Sequence, residues 1–100
     1  MLIASRSYRG LSSGRLMYSL KGNKEYEESL IITLVNSGGF IEFEIIDAAT
    51  KESNKLTNPE SGTYTFPINK GGRLNIILRT KGASGSYKIE KIRCIKSDEI

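Results

Sequence analysis

The chain has no histidine, no tryptophan, a single cysteine and two prolines. Without histidine there is no Ser-His-Asp or Cys-His nucleophile arrangement, and the commonest metal ligand is gone. Cys94 has no partner within the chain, so no internal disulfide forms, and a structural zinc site needs several Cys or His ligands. No catalytic residue, metal ligand or cofactor is therefore assigned. The lack of tryptophan removes the usual flat platform for sugars. No apolar run approaches the ~20 residues that span a bilayer. Gly38-Gly39 and Gly71-Gly72 lie outside any GxxxxGK[ST] pattern and are not phosphate loops.

What remains is an ordinary globular composition. Of 100 residues, 38% are hydrophobic and 26% charged, which argues against long disorder. One domain is expected at this length, and a chain of this size buries roughly two-thirds of its unfolded surface.

Alternation of period two dominates, broken by Gly, Asn, Ser and Pro clusters. Leu16, Tyr18 and Leu20 share one face. In the long apolar run 25–39, Leu30, Ile32 and Leu34 oppose Ile31, Thr33 and Val35. Ile41, Phe43 and Ile45 alternate with Glu42 and Glu44, and "SGG" at 37–39 predicts a hairpin turn between these two runs. The polar stretch 47–62 crosses one end of the domain with a short strand near Leu56. Tyr64, Phe66 and Ile68 form the next stripe, where Pro67 predicts an edge strand. "NKGG" at 69–72 and "KGASG" at 81–85 read as turns around Leu74, Ile76 and Leu78. Tyr87 and Ile89 are in phase, whereas Ile92 and Cys94 have the opposite parity, which predicts a bulge near Glu90–Lys91 and a partly buried thiol. With no sustained helical period, the expectation is an all-β chain: a two-sheet antiparallel β-sandwich, jelly-roll or immunoglobulin-like, of about seven to eight strands.

Residues 1–14 read as an N-terminal arm or first strand, 15–96 as a single β-sandwich domain and 97–100 as a C-terminal tail. Leu2-Ile3-Ala4 followed by Ser5 also has the form of a bacterial lipobox with serine in place of the terminal cysteine.

The net charge of +4 is unevenly spread. The opening segment is basic through Arg6, Arg9, Arg15, Lys21 and Lys24, the middle is acidic, and the last third is basic again. Such asymmetry marks either an anion-binding face or acidic and basic strands paired across a sheet, and the second reading is the simpler. Glu42 and Glu44 lie two apart on one strand face, close enough for glycosidase carboxylates, but a small sandwich offers little cleft. Glu27 and Glu28 read as a solvated strand end. Asp47, Glu52, Asn54, Asn58 and Glu60 carry oxygen ligands without any calcium-loop spacing. Most aromatics fall in the apolar stripes, leaving Tyr8 and Tyr26 outside them, so nucleic acid is not an expected partner.

A short echo remains: "SGTYTF" at 61–66 and "SGSYKI" at 84–89. Both place small residues before an aromatic, which suits strand entry: glycine for the turn, serine for turn backbone, tyrosine for the core. The stretch "SGTYTFPINKGGRLNIILRTKGASGSYKI" resembles small β-sandwich domains of secreted lipoproteins from Gram-positive bacteria. More distantly, it is similar to the pre-peptidase C-terminal domains of secreted bacterial enzymes. The resemblance implies a non-catalytic module of a bacterial envelope or extracellular protein, with a binding or structural accessory role and a protein or polysaccharide of the cell envelope as partner. The alternatives are a carbohydrate-binding module and, less favoured, a small enzyme or hydrolase accessory. No ligand-binding residue is assigned.

Overall fold

The computed structural model describes residues 1–11 and 13–94. The expected C-terminal tail 97–100 lies outside them. The described residues form no helix and six strands: β1 (Leu2–Leu11), β2 (Gly14–Lys21), β3 (Glu28–Asp47), β4 (Ser53–Thr57), β5 (Gly62–Ile68) and β6 (Arg73–Arg93). All pairings are antiparallel.

The count is lower than expected because two predicted turns are not turns. β3 and β6 are 20 and 21 residues long and run beside each other from Glu28↔Arg93 to Asp47↔Leu74. "SGG" and "KGASG" sit inside this ladder, at register shifts between Asn36 and Phe40. The strands kink there and continue. Glycine clusters signal a bulge as readily as a reversal. Gly39 (φ 77°) and Gly85 (φ 143°) show what the kink requires. A Cβ on Gly39 would overlap the Gly82 carbonyl, and one on Gly85 the Val35 carbonyl. Only a residue without Cβ permits this approach of the two backbones.

The kink reverses which residues face inward. On β3 the buried positions pass from Leu30, Ile32 and Leu34 to Ile41, Phe43 and Ile45; on β6 they pass from Leu74, Ile76 and Leu78 to Ala83, Tyr87 and Ile89. The ladder has two halves. In one, the strand order is β2–β6–β3–β4, and in the other it is β1–β6–β3–β5. Side chains from both halves join one buried cluster, with Leu20 and Ile68 added from β2 and β5. Ten of these side chains are essentially inaccessible, and each contributes roughly 1.5–3 kcal/mol by burial.

β5, which contains Pro67, pairs only with β3, so the missing N–H of the proline costs no ladder bond on its free side. The predicted turn at 69–72 is present, with Gly72 N donating to Asn69 O. The predicted bulge near Glu90–Lys91 is absent from the β3–β6 ladder, which is regular from Glu28↔Arg93 to Asn36↔Gly85. The irregularity lies on β1, between Leu2↔Glu90 and Ala4↔Ile89. Ile92 and Cys94 therefore do not turn inward, and both are exposed.

Candidate functional site

The chemistry suggested by the sequence is largely consumed by cross-strand pairing. Glu42 is opposite Arg79 in the β3–β6 register, and Glu44 lies two residues on. Arg79 Nη1 donates to Glu42 Oε1 and to Glu44 Oε1, each at 3.0 Å. Thr57 Oγ1 on β4 donates to the other Glu42 oxygen at 2.9 Å. The Thr57 hydroxyl, and after it the Arg79 guanidinium, hold the Glu42 carboxyl below the usual carboxylate range. Both carboxylates are fixed on one guanidinium, an ordinary way to carry like charges side by side on a sheet.

Glu28 departs from the solvated strand end expected for it: it is buried at 7% exposure. Its Oε1 accepts from Asn23 N at 2.8 Å and lies 3.4 Å from Lys91 Nζ, which also donates to the Lys21 carbonyl. β3 begins here opposite the end of β6, so the pair is a clasp where the chain enters the sheet. Of the oxygen-rich connection, Asp47 Oδ1 accepts from Ala49 N and Thr50 N, and Asn58 Oδ1 accepts from Ile41 N. Asp47 thus holds the loop's own backbone, and Asn58 holds the backbone of β3. Cys94, expected to be partly buried, is exposed, because β6 leaves the core before reaching it.

None of the eight aromatic rings is exposed. Tyr87 is the centre of a cluster, with ring centroids 5.9, 6.4 and 5.8 Å from Tyr8, Tyr18 and Phe43. The Tyr18 and Tyr87 hydroxyls share a hydrogen bond of 2.6 Å. Burial, reinforced by that bond, pushes the Tyr87 phenol well above its ordinary range, and burial raises Tyr8 too; the Arg6 charge opposes both shifts. Tyr8 turns inward against the core, and Tyr26 is covered by Arg93, whose guanidinium carbon is 4.6 Å from the ring centroid.

The two copies of the echo differ in place. Gly62 opens β5, whereas Gly85 lies within β6 at the kink. Their serines do the same work: Ser61 Oγ accepts from Asn36 N and Ser84 Oγ from Gly10 N, each at 2.9 Å. Each hydroxyl satisfies a backbone donor of another strand where a ladder is irregular, rather than one in its own turn.

A cleft of about 180 Å³ opens between β1 and β2, lined by Arg6, Ser13, Gly14, Arg15, Leu16, Leu78 and Thr80. Arg6 stands opposite Tyr87 on β1, while Arg15 stands opposite Arg79 on β2. Leu16 belongs to the inward stripe of β2 but is 41% exposed, because β2 is an edge strand and its first residues overhang the cleft. Sequence reasoning missed this cleft. Arg6 shares its phase with Ala4 and Tyr8, the one local sign of a charge directed inward.

The sequence matches no family model, and no curated protein matches it. Among solved structures, the chain is similar to the P-domain of Macrobrachium rosenbergii nodavirus, at 15% identity and a TM-score of 0.40, over 97% of this chain and 91% of that one.

Proposed function

We propose that the chain is a non-catalytic β-sandwich module of a bacterial envelope or extracellular protein, acting by binding or as a structural accessory. The sandwich is the reading of one sheet kinked along β3 and β6 so that both halves cover a common cluster. The observation that carries the functional reading is the pairing of Glu42 and Glu44 with Arg79. A general acid and a nucleophile need environments that push their proton affinities apart. Here one guanidinium holds both carboxylates, each 14% exposed. The envelope location rests on the resemblance of residues 61–89 to secreted lipoprotein domains. A protein partner is favoured over a polysaccharide because no aromatic ring is exposed to stack on a sugar.

Labelling at exposed Cys94 with a fluorophore provides the test. The labelled chain is expected to bind intact Gram-positive cells saturably, to lose that binding when the cells are first treated with protease, and to release no reducing sugar from cell-wall glycans. Binding that survives the protease and follows a glycan on an array replaces this reading with the carbohydrate-binding one. Turnover of any glycan, or no saturable binding to cells, overturns it.

A further inference from the structure

Among the described residues, each half of the ladder ends in two edge strands, β1 and β5 in one and β2 and β4 in the other. Three of the four carry a feature that blocks further pairing. β1 is irregular, with register shifts between Leu2 and Ala4 and between Tyr8 and Leu11. β4 is five residues long, and β5 contains Pro67. Bulged, short and proline-bearing edges are ordinary protections against strand addition. β2 has none of them. Its eight residues hold no proline and pair with β6 without a shift from Gly14↔Thr80 to Lys21↔Arg73.

The register also says which backbone groups of β2 are free. Just beyond the strand, Gly22 N donates to Gly72 O, so that residue turns its backbone toward β6. Backbone groups alternate along an antiparallel edge strand. Leu20, Tyr18 and Leu16 therefore turn toward β6 as well, while Arg15, Met17 and Ser19 turn N–H and C=O away from it. The side chains of Arg15, Met17, Ser19 and Lys21 lie on the outer face of the sheet, opposite those of Arg79, Ile77, Asn75 and Arg73. Leu16 on the inner face is 41% exposed and Met17 on the outer face 61%, and one further strand would cover both.

The charge of this edge selects the strand. Arg15 faces Arg79 and Lys21 faces Arg73, two like-charge pairs where opposite charges would stabilise the sheet. Arg79 is drawn to Glu42 and Glu44 on its other side. Among the described residues, Arg15, Lys21 and Arg73 have no carboxylate within ion-pair distance. A second copy of the chain paired antiparallel about Tyr18 would set Arg15 against Lys21 at both ends. The two cations thus oppose a copy in that register and leave the edge open to an acidic strand.

We propose that the free edge of β2 accepts an extended segment of another protein as an added strand. Acidic residues of that segment, six positions apart, stand against Arg15 and Lys21, and aliphatic residues on its alternate face cover Leu16. Main-chain hydrogen bonds to Arg15, Met17 and Ser19 supply affinity, and the alternate side chains supply specificity. The proposal rests on the reading of the chain as a binding module with a protein partner and adds the chemistry of that partner.

The probe is the peptide Glu-Val-Thr-Val-Ser-Val-Glu, acetylated and amidated, whose near-palindromic order offers parallel and antiparallel addition alike. Hydrogen exchange in ¹H–¹⁵N spectra of the full chain provides the test. The amides of Arg15, Met17 and Ser19 are expected to exchange fast in the free chain and about tenfold or more slower at saturating peptide, while those of Leu16, Tyr18 and Leu20 are slow in both. The same peptide with lysine for glutamate is expected to bind about fivefold or more weakly, through the loss of two cross-strand charge pairs. Arg15→Glu combined with Lys21→Glu reverses that preference. Met17→Pro, which takes no bond from the β2–β6 ladder, abolishes binding. No protection of the three amides, equal affinity for the two peptides, or a preference unchanged in the double variant overturns the proposal. So does dimerisation of the chain that protects the same amides, which makes the occupant a second copy. A labelled Met17→Pro chain that binds cells as the wild type does overturns the proposal and leaves the binding-module reading standing. A wild-type chain that binds no cells overturns that reading, whereas protection by the peptide is measured without cells.

Discussion

The hydroxyls of Tyr18 and Tyr87 meet at 2.6 Å, joining β2, an edge strand of one half of the ladder, to β6 where it runs through the other half. Tyr87 is 2% exposed and touches three other rings. Tyr87→Ala is expected to cost roughly 3–5 kcal/mol, a large share of a typical 5–15 kcal/mol stability. Tyr87→Phe keeps the ring contacts and is expected to cost only about 1 kcal/mol. Urea unfolding of the two variants decides the matter; equal midpoints for Tyr87→Ala and wild type would place the ring outside the core.

The same phenol sets an alkaline limit. Its folded proton affinity is raised above the ordinary tyrosine value near 10 by burial and by Tyr18. A group whose folded pKa is raised contributes stability that is complete below the unfolded value and is lost as pH rises above it. Stability is therefore expected to fall above about pH 10, with part of the phenolate absorbance appearing only as the chain unfolds. Tyr87→Phe should remove the Tyr87 share of the delayed part and leave that of Tyr8. Smooth titration of all tyrosines in the folded chain contradicts this.

Glu42 acts in the opposite direction. Thr57 and Arg79 lower its folded pKa, so the stability it gives is present above the ordinary carboxylate range and is lost as pH falls through the folded value. Arg79→Met leaves two carboxylates side by side and is expected to lower the midpoint at neutral pH more than Glu42→Gln does. Adding Glu42→Gln and Glu44→Gln to Arg79→Met should restore part of the loss. A triple variant no more stable than the single one rules out repulsion as the cause.

The two echo glycines should respond differently to the same change. Gly85→Ala drives a methyl into the Val35 carbonyl and is expected to cost about 1–3 kcal/mol or more. A Cβ at Gly62 meets nothing within 4 Å, so Gly62→Ala bears only the strain of its positive φ of 157° and is expected to cost less than Gly85→Ala, at the low end of about 1–3 kcal/mol. Thermal melting of both checks the ordering.

Cys94 is exposed, so a thiol reagent is expected to modify it stoichiometrically without denaturant. Cys94→Ser should leave stability within about 0.5 kcal/mol. Modification only after unfolding would return the thiol to the interior.

The inward stripes were legible because alternation is a local property. Leu30, Ile41, Ile76, Tyr87 and their neighbours two residues away could be assigned before any pairing was known, as could the edge position of Pro67 and the turn at 69–72. The kinks were not legible. Two glycines after a serine fit a hairpin turn and a bulge equally, and the choice depends on whether the flanking runs pair with each other or with a third segment. Cys94 was misplaced for a related reason. A change of parity near a strand end marks a bulge, but it also marks a strand leaving its core, and Ile92 gave no means of telling these apart. The share of Arg79 between Glu42 and Glu44, and the cleft between β1 and β2, depend on register between segments far apart in the chain, which composition and spacing do not carry.

The position of β6 has a consequence for synthesis. Among the described residues, β1 and β2 form ladders with β6 and with no other strand, although they precede it by more than fifty residues. β3, β4 and β5 can pair as they emerge, because each ladder among them closes a short stretch of chain. The first two strands leave the ribosome without a partner and stay unpaired until the last has been made. Closing such distant contacts costs loop entropy and slows folding. During that interval, Arg6, Arg9, Arg15 and Lys21 give β1 and β2 like charge of the kind that disfavours pairing with the strands of another nascent chain.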